Sequence, residues 1–170
     1  MNKEKIMKLF FENPNEEIHL REIARRISLS PNTVMYTTNS LVKEGLLIRE
    51  KKKPIINFKA NIDNPKFTNE KRIFNIKKIY DSGLIEYLIN IYNNPEAVVL
   101  FGSYSRGEDN KKGDVDVAII TKRKEKTNLE KFEKKIKKKI HLLEIDKNKV
   151  NKEFLSSLAN GIVVYGYLSI

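Results

Sequence analysis

The sequence predicts an α+β protein built from two successive modules, and three observations lead to this prediction. Residues 2–60 combine helical periodicity with two strand-like segments at their end. Residues 97–168 alternate between short apolar runs and helical patterns. A polar segment at residues 61–70 separates the two patterns and predicts a linker. A chain of 170 residues is long enough for one ordinary domain or two small ones.

Composition restricts the classes of protein to which the chain can belong. Hydrophobic residues make up 40% and charged residues 32%, which is typical of a globular chain and excludes collagen, a disordered tail and a membrane protein. Without cysteine there are no disulfides, thiolate metal sites or cysteine nucleophiles. The N-terminal residues predict an amphipathic helix and not a signal peptide, so we expect a cytoplasmic protein with no membrane partner.

The chain is strongly basic, with 33 Lys and Arg against 22 Asp and Glu and a net charge of +11. Such a charge suits a polyanionic partner such as nucleic acid or nucleotide phosphate, although a lysine-rich composition is an alternative explanation. The charge is also concentrated. Residues 122–139 contain ten Lys or Arg against three Glu, a local net charge of +7.

The N-terminal module begins with three predicted helices, at residues 2–12, 20–27 and 31–44. Pro14 ends the first helix, since proline cannot continue a helix. Ser30 and Pro31 are typical of an N-cap and a first helical position, and Gly45 stops the third helix. Two strand-like segments, 46–50 and 55–60, then flank a basic tip. This order of elements predicts a winged helix-turn-helix domain over residues 1–62.

The segment Leu20–Leu47, LREIARRISLSPNTVMYTTNSLVKEGLL, resembles winged-helix regulators of the bacterial and archaeal type. In such proteins the second helix of the pair enters the major groove. The residues expected to face DNA from this helix are Asn32, Thr33, Tyr36, Thr37, Ser40 and Lys43. At the hairpin, Arg49, Lys51, Lys52 and Lys53 are expected to neutralise phosphates. Winged helices also serve in dimerisation and protein docking, and this alternative stays open.

Residues 71–93 predict two helices broken at residues 81–83, which we assign to a helical linker or docking segment over 63–93. The remaining module, 94–170, alternates between strands and helices. Strands are predicted at 97–101, 114–120, 140–145 and 162–168, helices at 127–139 and 151–159, and a loop at 102–113. Thr127 and Glu130 form a capping-box pattern at the start of the basic helix.

The most informative stretch is Val98–Ile120, VVLFGSYSRGEDNKKGDVDVAII. Gly102 and Ser103 follow a buried strand, where backbone N–H groups at a helix start can approach a phosphate. Asp114 and Asp116 open the next strand on a common face, because strand side chains alternate. Paired carboxylates suit a hard divalent cation that also holds substrate phosphates. A phosphate-binding turn together with paired carboxylates is typical of phosphoryl or nucleotidyl transfer.

The same stretch resembles the signature of the DNA polymerase β-like nucleotidyltransferases, Gly-Ser-x-x-Arg-Gly followed by Asp-x-Asp, and is most similar to minimal nucleotidyltransferases. The resemblance implies a mixed sheet and a phosphate site formed by Gly102, Ser103 and Arg106, although Arg106 can equally brace the loop. It also implies that Asp114 and Asp116 are catalytic and hold two Mg²⁺ ions, with ATP or another nucleoside triphosphate as substrate.

Two positions depart from the family pattern. Gly113 stands where the family commonly has Ser or Thr, a change without expected consequence. The third carboxylate of the family lies on the next strand, where this chain has His141. Glu144 follows three residues later and should point to the opposite face of the strand unless a bulge intervenes. The position of the third acid is therefore in doubt between these two residues.

Two functions follow from these patterns. The first is a Mg²⁺-dependent enzyme that transfers AMP from ATP to a protein or RNA hydroxyl and carries a DNA-binding winged helix. The second is a DNA-binding transcription regulator whose degenerate nucleotidyltransferase domain only binds nucleotide. Minimal nucleotidyltransferases often pair with helical partner proteins, some in toxin–antitoxin systems, so the resemblance also implies a protein partner. The basic helix leaves an RNA partner open.

Overall fold

The computed structural model describes residues 2–52 and 55–169, which form two compact units divided between Lys71 and Arg72. The first unit contains three helices and a three-stranded antiparallel sheet of order β1-β3-β2. Its elements are α1 (Asn2–Glu12), β1 (Ile18–His19), α2 (Leu20–Ile27), α3 (Pro31–Lys43), β2 (Leu47–Lys52) and β3 (Ile55–Ala60). This arrangement confirms the predicted winged helix-turn-helix.

The core of the first unit comes from the inward faces of its helices and from β3. Completely buried side chains include Ile6, Phe10, Ile23, Leu41 and Phe58. The predicted start and end of α3 are both present. The Ser30 hydroxyl accepts the Thr33 N–H at 3.1 Å, and Gly45 follows the helix with a φ of +76°. Strand β1 is not predicted from the sequence, because two residues are too few to show alternation.

Helix α4 (Pro65–Ser82) begins inside the segment that the polar composition assigns to a linker. The cause is local, since the Asn64 side chain accepts the Lys66 N–H at 3.0 Å and Pro65 takes the first helical position. Gly83, with a φ of +80°, separates α4 from α5 (Leu84–Ile91), as predicted. No helix in the described part of the chain combines the length and the apolar character needed to cross a membrane.

The second unit is built on a four-stranded mixed sheet of order β6-β5-β4-β7. Strands β5 and β6 are parallel, and β4 is antiparallel to both β5 and β7. The elements are β4 (Ala97–Phe101), α6 (Gly102–Arg106), β5 (Val115–Ile120), α7 (Glu130–Ile136), β6 (Ile140–Ile145), α8 (Lys152–Ala159) and β7 (Ile162–Gly166). The predicted α+β class and mixed sheet are confirmed.

Helix α7 is shorter than the predicted helix 127–139, and the predicted capping box is wrong. Thr127 lies outside the helix, and the Asn128 side chain accepts the Glu130 N–H at 3.2 Å instead. The Asn128 N–H is in turn held by the Tyr87 hydroxyl at 2.9 Å, a long-range contact that no local pattern indicates. Lys137 ends the helix in a left-handed conformation, with a φ of +60°.

The sheet of the second unit is covered on both faces. Val115, Val117 and Ile119 of β5 pack into one apolar cluster with residues of α5 and α7. Ala118 and Ile120 belong to a second cluster with Leu158 of α8. Because strand residues alternate, Asp116 lies on the face that α8 covers.

Candidate functional site

The exposed side of α3 carries the helix residues assigned to DNA. Val34, Thr38 and Leu41 are completely buried and face the core of the first unit. Tyr36 is 81% exposed. The other assigned residues are exposed or half-buried: Asn32, Thr33, Thr37, Ser40 and Lys43. Helix α3 therefore presents a polar face to solvent, as a recognition helix requires.

The basic hairpin is described in part. The guanidinium of Arg49 is half-buried and donates to the Asn39 side chain at 3.3 Å, so this residue ties β2 to α3. Lys51 and Lys52 occupy the last two positions of β2. Lys53, which the sequence also assigns to DNA, lies outside the described residues. Arg49 therefore bonds to another residue of the same unit, and its contact with DNA phosphates stays a prediction.

In the second unit, β4 passes into α6 through a turn at Gly102. Gly102 has a φ of +71°, a conformation that residues with a side chain rarely adopt. Phe101 and Asp116 are paired positions of β4 and β5, which brings the turn against the Asp116 carboxylate. A Cβ on Gly102 would overlap Asp116 Oδ2. Glycine is required here both for the backbone angle and for the close approach of the carboxylate.

We expect Gly102→Ala to weaken nucleotide binding by about tenfold or more, because the methyl group displaces Asp116 and the left-handed backbone disfavours alanine by about 1–2 kcal/mol. Isothermal titration calorimetry with a non-hydrolysable ATP analogue measures the effect. Gly83→Ala is the matched control, since Gly83 has a φ of +80° but nothing within 4 Å of its would-be Cβ. Equal losses in the two variants would contradict the role of the Asp116 contact.

Ser103 and Arg106, the α6 residues assigned to phosphate, lie in different surroundings. Ser103 is half-buried, and its carbonyl accepts the Glu108 N–H at 2.9 Å. Arg106 is exposed and donates through Nε to Glu108 Oε2 at 2.7 Å. Gly107, with a φ of +75°, ends the helix. Arg106 thus has a local partner in the loop that follows α6, and both its bracing of that loop and its contact with phosphate stay predictions.

A buried polar network, which no sequence pattern indicates, holds the loop between α6 and β5. Lys138 Nζ and Asp109 Oδ2 are 3.0 Å apart, with side chains 10% and 2% exposed. Asn75 Nδ2 donates to Asp109 Oδ1 at 2.7 Å and to the Tyr104 carbonyl at 3.0 Å. Lys138 also donates to the Gly113 carbonyl at 3.1 Å. No sequence signal separates Lys138 from the other lysines of its run.

Asp116 and His141 lie side by side on the sheet. They are paired positions of the parallel strands β5 and β6, and Asp116 Oδ1 is 3.3 Å from His141 Nδ1. Their side chains are 29% and 60% exposed. Asp114 is exposed and lies just before β5. The structure therefore brings His141, and no carboxylate, to the strand position opposite Asp116.

Glu144 belongs to the other face of the sheet. The register of β5 and β6 is regular, so Glu144 pairs with Ile119 and the bulge that would turn it toward Asp116 is absent from these two strands. Glu144 Oε1 accepts the Tyr92 hydroxyl at 2.7 Å and the Glu125 N–H at 2.8 Å. Burial, and then this hydrogen bond, raise the pKa of Tyr92. Glu144 is therefore engaged away from Asp116.

The carboxylates of Asp114 and Asp116 suit a divalent cation that arrives with phosphates. Asp114 and Asp116 offer carboxylate oxygens, and the bare backbone of Gly102 leaves Asp116 the room that a Cβ would fill. Within residues 2–52 and 55–169, no three His, Asp or Glu side chains are grouped so as to hold a metal ion by themselves. Mg²⁺ is usually held by one or two carboxylates together with substrate phosphates. The residues present fit that mode of binding.

Beside Asp114 lies a cavity of about 510 Å³ with a basic lining. Its lysines are Lys111, Lys112, Lys134, Lys137, Lys138 and Lys139, and its acids are Asp114, Glu130 and Glu133. The Lys139 ammonium, and then the Ile140 N–H, lower the pKa of Glu133. The lining has three more lysines than carboxylates, so the cavity favours an anionic group.

Two family models match the chain. One, described as "Polymerase beta, Nucleotidyltransferase", matches residues 82–167, and the other, described as "Winged helix-turn-helix DNA-binding", matches residues 2–48. No curated protein and no solved structure matches the chain. The first model spans just over half of the chain and includes the Gly102 turn, Asp114, Asp116 and His141. Both resemblances are thereby confirmed, and the chain belongs to the polymerase beta nucleotidyltransferase family, with a winged helix-turn-helix domain on its N-terminal side.

Proposed function

We propose that the second unit transfers a nucleoside monophosphate from a nucleoside triphosphate to an acceptor hydroxyl with release of pyrophosphate, and that the first unit binds DNA. The expected donor is ATP and the expected transferred group is AMP. The observation that carries the proposal is the contact between the Gly102 turn and Asp116. At this contact the bare backbone of Gly102 lies next to the Asp116 carboxylate. Backbone N–H groups can bind phosphates and a carboxylate can bind a cation, so the contact supports a site that binds both together. Family membership supports the same reaction.

In this proposal each residue assigned to the nucleotide site has a defined role. Gly102 and Ser103 bind the triphosphate through their backbone N–H groups, and Arg106 adds charge beside them. Asp114 and Asp116 hold Mg²⁺, with two ions expected from the family. When bound, Mg²⁺ neutralises phosphate charge and activates the attacking hydroxyl. The network around Lys138 keeps the loop before Asp114 in place.

The basic cavity beside Asp114 supports an RNA acceptor. Lys111, Lys112 and Lys134 are exposed, and within the described residues they form no ion pair. Such lysines attract a phosphate backbone through charge alone, without reading sequence. A protein acceptor, including a helical partner of toxin–antitoxin type, remains the second possibility because the family resemblance implies it.

The second candidate function is a DNA-binding regulator that senses nucleotide without transferring it. His141 favours this candidate, because it replaces the carboxylate that helps to activate the attacking hydroxyl in the family. Gly102, Ser103 and Asp116 would still bind nucleotide, so binding alone does not distinguish the two functions.

The decisive experiment incubates the full chain with cell extract, divalent cation and ATP labelled at the α-phosphate. Transfer of label to a macromolecule supports the enzyme, and sensitivity of the labelled product to ribonuclease or to protease identifies the acceptor. Tight ATP binding without transfer under either Mg²⁺ or Mn²⁺ supports the sensor. Absence of both binding and transfer contradicts the proposal for the second unit.

For DNA binding, we expect alanine at Lys51, Lys52 and Lys53 to weaken affinity about equally across sequences. The slope of log affinity against log salt concentration should become less steep by about 3, since each lost phosphate contact contributes about 0.9. Fluorescence anisotropy with duplex DNA at several salt concentrations measures both effects. Alanine at Lys122, Lys124 and Lys126 removes the same charge from the second unit and serves as the control. If duplex DNA fails to bind the intact chain, the winged helix is a docking module.

A further inference from the structure

His141 has an exposed imidazole with a carboxylate as its neighbour. Its Nδ1 lies 3.3 Å from Asp116 Oδ1, and the side chain is 60% exposed. Within the part of the chain that the structure describes, Asp116 is its only side-chain hydrogen-bond partner. The imidazole is therefore accessible from solvent to a ligand that also contacts Asp116.

The separation of the two atoms is close to that of two ligands on one ion. Donors bound at about 2.1 Å and at right angles lie about 3 Å apart. The regular ladder between β5 and β6 holds Asp116 and His141 on adjacent strands at the same level. A cation can bridge the two side chains with rotamer adjustment alone, since the backbone already places them together.

We propose that His141 is a nitrogen ligand of the divalent cation that Asp116 binds, so that the site prefers a first-row transition ion over Mg²⁺. The inference rests on the proposed function, since it concerns the cation of the same site. Mg²⁺ takes oxygen ligands, whereas imidazole suits transition ions. One histidine in place of a carboxylate also makes the site less negative, which further disfavours a hard cation.

A spectroscopic experiment tests the nitrogen ligand directly. The full chain, free of any histidine tag, is loaded with Mn²⁺ and α,β-methylene ATP, and electron spin echo envelope modulation is recorded. We expect modulation from imidazole ¹⁴N, lost in His141→Ala and kept in His19→Ala. The chain has two histidines, so this pair of variants assigns the signal completely. Absence of imidazole modulation in the wild type, or its persistence in His141→Ala, overturns the proposal.

A binding competition tests the preference between ions. In the wild type we expect Ni²⁺ to bind more tightly than Mg²⁺, and His141→Ala to lose most of this ratio, because imidazole suits Ni²⁺ and not Mg²⁺. His141→Asp should strengthen Mg²⁺ binding and lower the ratio. If the wild type binds Mn²⁺ and nucleotide without a nitrogen signal, only the histidine assignment fails. If it binds neither, the proposed function fails with it.

Discussion

Replacing Asp114 and Asp116 together by asparagine is expected to reduce nucleotidyl transfer about 1000-fold or more. Bound cations contribute several kcal/mol to charge stabilisation in such reactions, and about 1.4 kcal/mol corresponds to a factor of ten in rate. Asparagine keeps the shape of each side chain but removes its charge, so the loss reports the carboxylates themselves. Incorporation of α-labelled ATP into extract macromolecules, measured under both Mg²⁺ and Mn²⁺, gives the ratio of rates.

The matched control for this prediction is Asp81→Asn. Asp81 is 61% exposed on α4 and pairs with Lys77, so the change removes one surface carboxylate and leaves Asp114 and Asp116 in place. Circular dichroism establishes that each variant is folded. Transfer by the double variant at more than a tenth of the wild-type rate would exclude the assigned roles of Asp114 and Asp116, and would point to another site for the chemistry.

The second large effect is expected from Lys138→Met, which we predict to lower the free energy of unfolding of the second unit by about 3 kcal/mol. The Asp109 carboxylate is 2% exposed and would lose its ammonium partner, and breaking a buried ion pair in this way is strongly destabilising. The Gly113 carbonyl loses a donor at the same time. Denaturant titration followed by circular dichroism measures the change, and hydrogen exchange locates it.

We expect faster exchange in the loop between α6 and β5, because Lys138 contacts Asp109 and Gly113 within that loop. Lys139→Met is the control, since the Lys139 side chain is 78% exposed and its partner Glu133, 16% exposed, keeps the Ile140 N–H as a donor. Similar unfolding free energies for the two variants would show that the buried Lys138–Asp109 pair contributes no more to stability than the Lys139–Glu133 pair. Weaker nucleotide binding in Lys138→Met alone would connect the network to the position of Asp114.

The two predictions separate the residues proposed to take part in the reaction, Asp114 and Asp116, from Lys138, which holds the loop before them. The aspartate variants should lose transfer while keeping their stability. The Lys138 variant should lose stability first and transfer as a consequence of the displaced loop. An enzyme and a nucleotide sensor differ only in the first result, because both need the loop in order to bind nucleotide.

The elements of the first unit were largely predictable, and the reason is local. Ser30, Pro31 and Gly45 mark the ends of α3, and their effects act within a few residues of the chain. The start of α7 was predicted wrongly at Thr127 because a distant hydroxyl, that of Tyr87, binds Asn128. The start of α4 at Pro65 was missed because a polar composition favoured a linker, although Asn64 and Pro65 form a good helix start.

The family and the Gly102 turn could be predicted from the sequence, because the motif that indicates them lies within one short segment of the chain. Strand alternation already predicted opposite faces for His141 and Glu144, but the absence of a bulge, the bond from Tyr92 to Glu144 and the contact of His141 with Asp116 are visible only in the tertiary structure. The tertiary structure also singled out Lys138 from a run of lysines by placing it against a buried aspartate. Strand register and burial depend on contacts between distant residues, and no local spacing encodes those contacts.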